Sequence, residues 1–107
     1  MPDIARFEVW LVKLNPAQGR EISKTRPFVV ISPDEMTALS TVLVAPMTTK
    51  SFHFPGRVIC EFQGKKGMLL LDRIRAVDKS RFVKKLGVMD ETTQKESCRC
   101  LQELFAY

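Results

Sequence analysis

Histidine is almost missing from this chain: its 107 residues include only His53. A nuclease that uses two histidines as base and acid cannot be assembled within one such chain. A Ser-His-Asp or Cys-His arrangement would have to be built around His53, and no nucleophile-elbow motif supports one. Cysteine is scarce as well. Cys60, Cys98 and Cys100 are odd in number and lack paired CxxC spacing, which argues against a disulfide framework and against a structural zinc site. They read as buried or half-exposed thiols. The carboxylates are scattered, with no close cluster for a pair of magnesium ions. There is no Walker A loop and no GxGxxG fingerprint, so no nucleotide cofactor is indicated. Charges interrupt every apolar run before membrane-spanning length, and Met1-Pro2-Asp3 lacks the basic start of a secretory signal. The expectation is a soluble, cytoplasmic protein with no metal and no cofactor, whose chemistry rests on Arg, Lys, Glu, Asp, Ser or Thr.

The composition is that of a folded globule, 45% hydrophobic and 27% charged, and the length suits one domain over residues 1–107. The net charge is +5 and unevenly spread: nine Lys and Arg residues from Arg57 to Lys85 face only Glu61, Asp72 and Asp78. Such a surplus suits a polyanion, because each neutralised phosphate releases counterions. A solvated surface accounts for a charge run equally well.

Short apolar segments bounded by turn residues follow one another along the chain. Residues 7–14 (FEVWLVKL) read as a strand buried on much of both faces, broken by Asn15-Pro16-Ala17-Gln18-Gly19. Residues 19–25 read as a polar loop. Residues 27–31 (PFVVI) and 41–47 (TVLVAPM) are the next strands, the latter with Pro46 at an edge or bend, and a loop covers 48–56. Residues 57–63 alternate, with Val58, Cys60 and Phe62 on one side and Arg57, Ile59, Glu61 and Gln63 on the other. Gly64-Lys65-Lys66-Gly67 reads as a hairpin turn, with a return strand over 68–71 and another strand over 74–77. Asp90 can cap a helix starting at Glu91, and Cys98, Leu101, Leu104 and Phe105 recur at helical spacing as an apolar stripe, either core or dimer contact. Many short strands with one terminal helix predict a small barrel.

Three segments, in order, resemble the PemK/MazF toxin family. Val9-Trp10-Leu11-Val12, Asn15-Pro16 and then Gly19 to Pro27 are similar to the family's opening strand, its Asp/Asn-Pro turn and its G-x-E-x-x-x-x-R-P loop. Val44-Ala45-Pro46-Met47-Thr48-Thr49 is similar to its strand ending in Pro-x-Thr-Ser/Thr. The run from Leu69 to Arg81, followed by Leu86-Gly87, resembles its Leu-x-Asp-Gln-Ile-Arg-x-Ile/Val-Asp-x-x-Arg segment. The resemblance implies a mainly β fold, an SH3-like (CcdB/MazF-like) barrel with a C-terminal helix. It also implies a homodimer, cleavage of single-stranded RNA, and neutralisation by an acidic antitoxin. Two positions depart from the pattern. Phe7-Glu8 stands where many relatives have Gly-Asp, and Leu70 stands where some carry a catalytic arginine.

The resemblance makes Arg26 the arginine on the scissile phosphate, where a fixed guanidinium stabilises charge building on five-coordinate phosphorus. Thr48 is its hydroxyl-bearing companion, and the competing reading is a turn threonine bonded to its own backbone. Glu21 either takes the 2′-hydroxyl proton, orients Arg26, or is a solvated loop acid. Lys24, Thr49, Asp72, Arg73 and Arg75 are the RNA-binding candidates, with Asp72 alternatively holding an arginine such as Arg81. Alternation would set Arg73 and Arg75 on one face. Trp10 and Phe7 could stack bases, but inside an apolar strand they read as core. Two rival functions share this fold: a non-enzymatic toxin of the gyrase-poison type, and an inactive RNA-binding barrel.

Overall fold

Alternation along the first three strands splits the core in two. The computed structural model describes residues 3–14, 24–36, 38–50 and 55–106. Strand β1 (Glu8–Lys13) pairs antiparallel with β2 (Thr25–Val30), which pairs with β3 (Thr41–Thr48). Cross-strand partners share a face. Val9, Val29 and Ala45 therefore point one way into a cluster with Phe7, Leu69, Leu71 and Met89. Trp10, Phe28, Val30 and Val44 point the other way, with Val12, Val42, Val77 and Phe82. This explains why residues 7–14 and 27–31 are apolar almost without a break: the strands are covered on both sides.

Strand β3 is the hub. One edge carries β2, and the other carries β6 (Arg75–Asp78) along its first half and β5 (Lys65–Leu70) at its end. Strand β4 (Arg57–Phe62) pairs with β5, and β7 (Phe82–Val88) with β1, giving the order β4-β5-β3-β2-β1-β7 with β6 beside β3. The sheet curls into a half-barrel with one C-terminal helix, α1 (Glu91–Leu104), against β4 and the 3-10 turn at Leu71–Arg73. The expected architecture holds.

Several local expectations need correcting. Strand β7 was not foreseen. It joins β1 with register shifts at Val9/Trp10 and Leu11/Val12, and a bulged strand loses the two-residue period that marks a strand in sequence. The hairpin turn is Gln63-Gly64 rather than residues 64–67. Both central residues have positive φ, 52° and 80°, as a two-residue turn of the I′ kind demands, and Lys65 to Gly67 already belong to β5. The 3-10 turn at Leu71–Arg73 separates Arg73 from the strand that carries Arg75, so alternation does not carry a common face across it.

Helix α1 starts as expected, with the Asp90 carboxylate accepting the Thr93 N–H at 3.0 Å. Its buried side differs from the expected stripe. Thr93 and Ser97 are the buried residues, Cys98, Cys100 and Leu101 pack partly on the core, and Leu104 and Phe105 remain 38% and 77% exposed. Small side chains at 93 and 97, one turn apart, let the helix settle closely.

At the start of β1, Phe7 is buried with φ of 67°, a conformation that suits glycine far better than an aromatic residue. Its N–H donates to the Val30 carbonyl at 2.7 Å and its carbonyl accepts from Met89 N–H at 2.9 Å, so two elements hold it there. Glu8 is buried beside it. Its Oε1 accepts the Ala5 N–H at 2.8 Å and the Trp10 indole N–H at 3.0 Å, and its Oε2 meets Lys85 Nζ at 2.7 Å. Burial pushes this carboxyl's pKa up, but the Lys85, Ala5 and Trp10 hydrogen bonds together outweigh that, and it is held below the ordinary value. Trp10 also meets Phe82 edge-on at 5.6 Å. It is a core residue.

A candidate site in a basic groove

Where the β2–β3 ladder ends, at one end of the half-barrel, two predicted residues line the same groove. The register runs Val30 to Val44, Val29 to Ala45 and Phe28 to Pro46. The ladder ends at that last pair, and Arg26 and Thr48 lie beyond it. Arg26 is itself held by pairing with Val12 on β1, and Thr48 by pairing with Met68 on β5. Both line an open groove of about 720 Å³, together with Thr49 and Lys50. The far wall is the β4–β5 hairpin, with Phe62, Gln63, Lys65, Lys66 and Gly67, and Pro27, Met47, Cys60 and Leu86 supply apolar lining.

The charge in this groove has one sign. Arg26, Lys50, Lys65 and Lys66 line it, and no Asp or Glu does among the described residues. Thr48 Oγ1 accepts the Lys50 backbone N–H at 3.1 Å. The turn reading of this threonine is thus correct in geometry, yet a hydroxyl that accepts through one lone pair keeps its own proton to donate. The local bond fixes where the oxygen sits. Gly67 matters for the same reason: a Cβ there would stand 2.6 Å from the Thr48 carbonyl oxygen, so only glycine lets β5 come this close to the end of β3. Cys60 is buried; burial pushes its thiol up, with Asp90 adding to the effect. It remains a neutral thiol and a poor nucleophile.

The other predicted residues fall elsewhere. Lys24 is exposed just before β2, where its carbonyl accepts the Leu14 N–H at 2.8 Å, at the approach to the groove rather than in its lining. Glu21 and His53 lie outside the described residues. Asp72 is not in the groove. Its Oδ1 accepts from Arg57 Nε at 3.3 Å, and its N–H donates to the Gly56 carbonyl at 3.1 Å. The structural reading of Asp72 is supported but its partner is Arg57; Arg81 donates instead to the Lys13 carbonyl. Arg73 and Arg75 are exposed and outside the groove lining. Leu70, opposite Arg57, is buried. Sequence reasoning counts Lys65 and Lys66 as bulk charge and as turn residues, and does not single out Lys50 or Phe62. The available signal was the turn: once it is placed at Gln63-Gly64, Lys65 falls directly across from Phe62.

No helix among the described residues is long and apolar enough to cross a membrane. Residues 5–105 match the family model described as PemK-like, MazF-like toxin of type II toxin-antitoxin system. The Endoribonuclease MazF of Staphylococcus saprophyticus is 35% identical over 98 residues, covering 85% of this chain and 82% of that protein. Among solved structures, MazE-MazF of Deinococcus radiodurans aligns with a TM-score of 0.82 at 22% identity over 97% of this chain and 96% of the other. MazF of the same organism aligns at 0.72 and 28% identity, over 99% and 97%.

Proposed function

Since the chain belongs to the PemK-like, MazF-like toxins of type II toxin–antitoxin systems, we propose that it is an endoribonuclease that cuts single-stranded RNA at the groove beside Arg26 and Thr48. The observation that carries this reading is that Arg26 and Thr48 line one groove whose described charges are all positive. The ribose 2′-hydroxyl attacks the adjacent phosphorus, Arg26 forks onto the non-bridging oxygens as charge builds there, and the Thr48 hydroxyl, fixed by Lys50 N–H, donates a further hydrogen bond. The 2′ proton passes to a base, for which Glu21, five residues before Arg26 in sequence, is the candidate. The 5′-oxygen leaves and takes a proton from water, and the other fragment ends in a 2′,3′-cyclic phosphate. In this reading the guanidinium carries the electrostatic load and no metal takes part; the described lining holds no carboxylate. With Leu70 buried in β5, no second arginine helps from that position, and Arg26 bears more of the work. Lys24 and Thr49 flank the path of the strand, and Arg73 and Arg75 extend the basic surface beyond it.

As a toxin of this family the chain acts in the cytoplasm, as a homodimer, and is silenced by an acidic antitoxin that competes for basic surface. A relative solved as MazE-MazF supports the partner by analogy. The test is direct. Purified protein incubated with an RNA transcript in EDTA should cleave it at particular sequences and leave the matching DNA intact. Arg26→Ala should lower kcat by about 10²–10³. A protein that cleaves no RNA would instead fit a gyrase-poison toxin or a barrel that only binds RNA, and an Arg26→Ala variant as fast as wild type would overturn the mechanism.

A further inference from the structure

The hairpin wall of the groove has a composition that Arg26 and Thr48 do not explain. Phe62 is half-buried and lines the groove, although its strand partners Val58 and Cys60 are buried. Its ring rests over Gly87, where a Cβ would stand 3.0 Å from Phe62 Cζ, so β7 leaves space for an aromatic face at this place. The Gln63 amide donates to the Leu86 carbonyl at 3.4 Å and ties the turn to the same strand. Lys65 is directly opposite Phe62 in the β4–β5 ladder, whereas Lys66 is opposite Glu61. Cross-strand partners project to one face. Lys65 therefore shares a face with the Phe62 ring, whereas Lys66, though it also lines the groove, shares a face with Glu61.

We propose that Phe62 and Lys65 form a nucleotide subsite next to the cleavage position: one unpaired base of the substrate stacks on Phe62, and its phosphate sits against Lys65. The proposal rests on the groove being the RNA path. Single-stranded nucleic acid is held without regard to sequence by an aromatic face combined with a cation that tracks the backbone. The groove has both on one wall, and no described carboxylate lines it to repel the phosphate.

The experiment uses full-length protein and an RNA made uncleavable by a 2′-deoxyribose at the cut, with 2-aminopurine placed at successive positions around it. With wild type, one position should show quenched fluorescence from stacking. Phe62→Leu should abolish that quenching and weaken binding roughly tenfold, and Phe62→Tyr, which keeps a ring, should restore both. Lys65→Gln should raise KM on cleavable RNA while sparing kcat, and lower the slope of log affinity against log salt by about 0.7; Lys66→Gln should do less on both counts. If Phe62→Leu no longer melts cooperatively, Phe62→Tyr and Lys65→Gln decide the question. Cleavage by wild type with unchanged binding in Lys65→Gln, or with no quenched position, would overturn the subsite alone. A wild type that neither binds nor cuts RNA would remove the reading beneath it.

Discussion

Thr48 combines two roles that compete on paper. Its oxygen closes a short turn with Lys50 N–H, and that turn aims the remaining hydroxyl proton. The roles separate under substitution. Thr48→Ser keeps the oxygen and should retain most activity, whereas Thr48→Ala should lose about tenfold in kcat, the worth of one hydrogen bond in the transition state. Single-turnover cleavage at saturating protein measures it, and equal rates for the two variants would make Thr48 a turn residue and nothing more. Arg26 and Thr48 are singled out by three motifs that are weak alone and telling in their order, and both line the groove. Phe62 was not legible: an aromatic residue on the apolar side of an alternating strand looks the same whether it faces the core or the rim.

The β4–β5 hairpin shows why some elements could be read and others not. Its alternation was plain in residues 57–63 and survives in the fold, with Val58 and Cys60 buried and Ile59 and Glu61 exposed. The turn was misplaced because Gly64 and Gly67 both invite one, and backbone geometry decides between them: Gly64 has φ of 80°, while Gly67 is needed for close approach. That assignment makes a prediction. Gly67→Ala would drive a methyl group against the Thr48 carbonyl, so β3 and β5 must part at that point. Overpacking of this kind costs about 1–3 kcal/mol. Thermal melting should register the loss, and cleavage should fall further than the lost stability accounts for, because the displaced residue is Thr48 itself. An active, fully stable Gly67→Ala protein would mean the strands have slack here. Strand β7 was hidden for a different reason, since its two register shifts against β1 scramble the pattern that marks a half-buried strand. Helix α1 was legible at its capped start and misread at its end, where apolar spacing continues although Leu104 and Phe105 stay exposed.

Glu8 links the chemistry of one side chain to the acid limit of the whole protein. It receives hydrogen bonds from Trp10 and Ala5 and an ion pair from Lys85, and these hold its pKa below the ordinary carboxylate value against the opposing effect of burial. A carboxylate lowered on folding contributes stability that is complete above its unfolded pKa, about 4.3. That contribution is lost as the pH falls through the lower folded value. Asp90 and Asp78 are shifted the same way by hydrogen bonds from Thr93 and Ser80. Urea midpoints followed from pH 6 downward should therefore drop below about pH 4. Glu8→Gln should be less stable by about 1–2 kcal/mol at neutral pH and show a shallower acid limb. A variant as stable as wild type at neutral pH, or with an unchanged limb, would show that the buried carboxylate is not the titrating group.

The division of the core by β1, β2 and β3 has a consequence for how the molecule opens. Neighbouring residues on these strands, such as Val9 and Trp10 or Val29 and Val30, belong to opposite clusters, so neither cluster can be exposed to solvent while the strands stay paired with their other face intact. Loosening one side strips the cover from the shared backbone. The ladder amides of all three strands should exchange with deuterium at one common slow rate set by global unfolding, with the last turn of α1 exchanging much faster. A substitution confined to either cluster, Val44→Ala or Leu69→Ala, should accelerate both sets of ladder amides equally rather than its own side first.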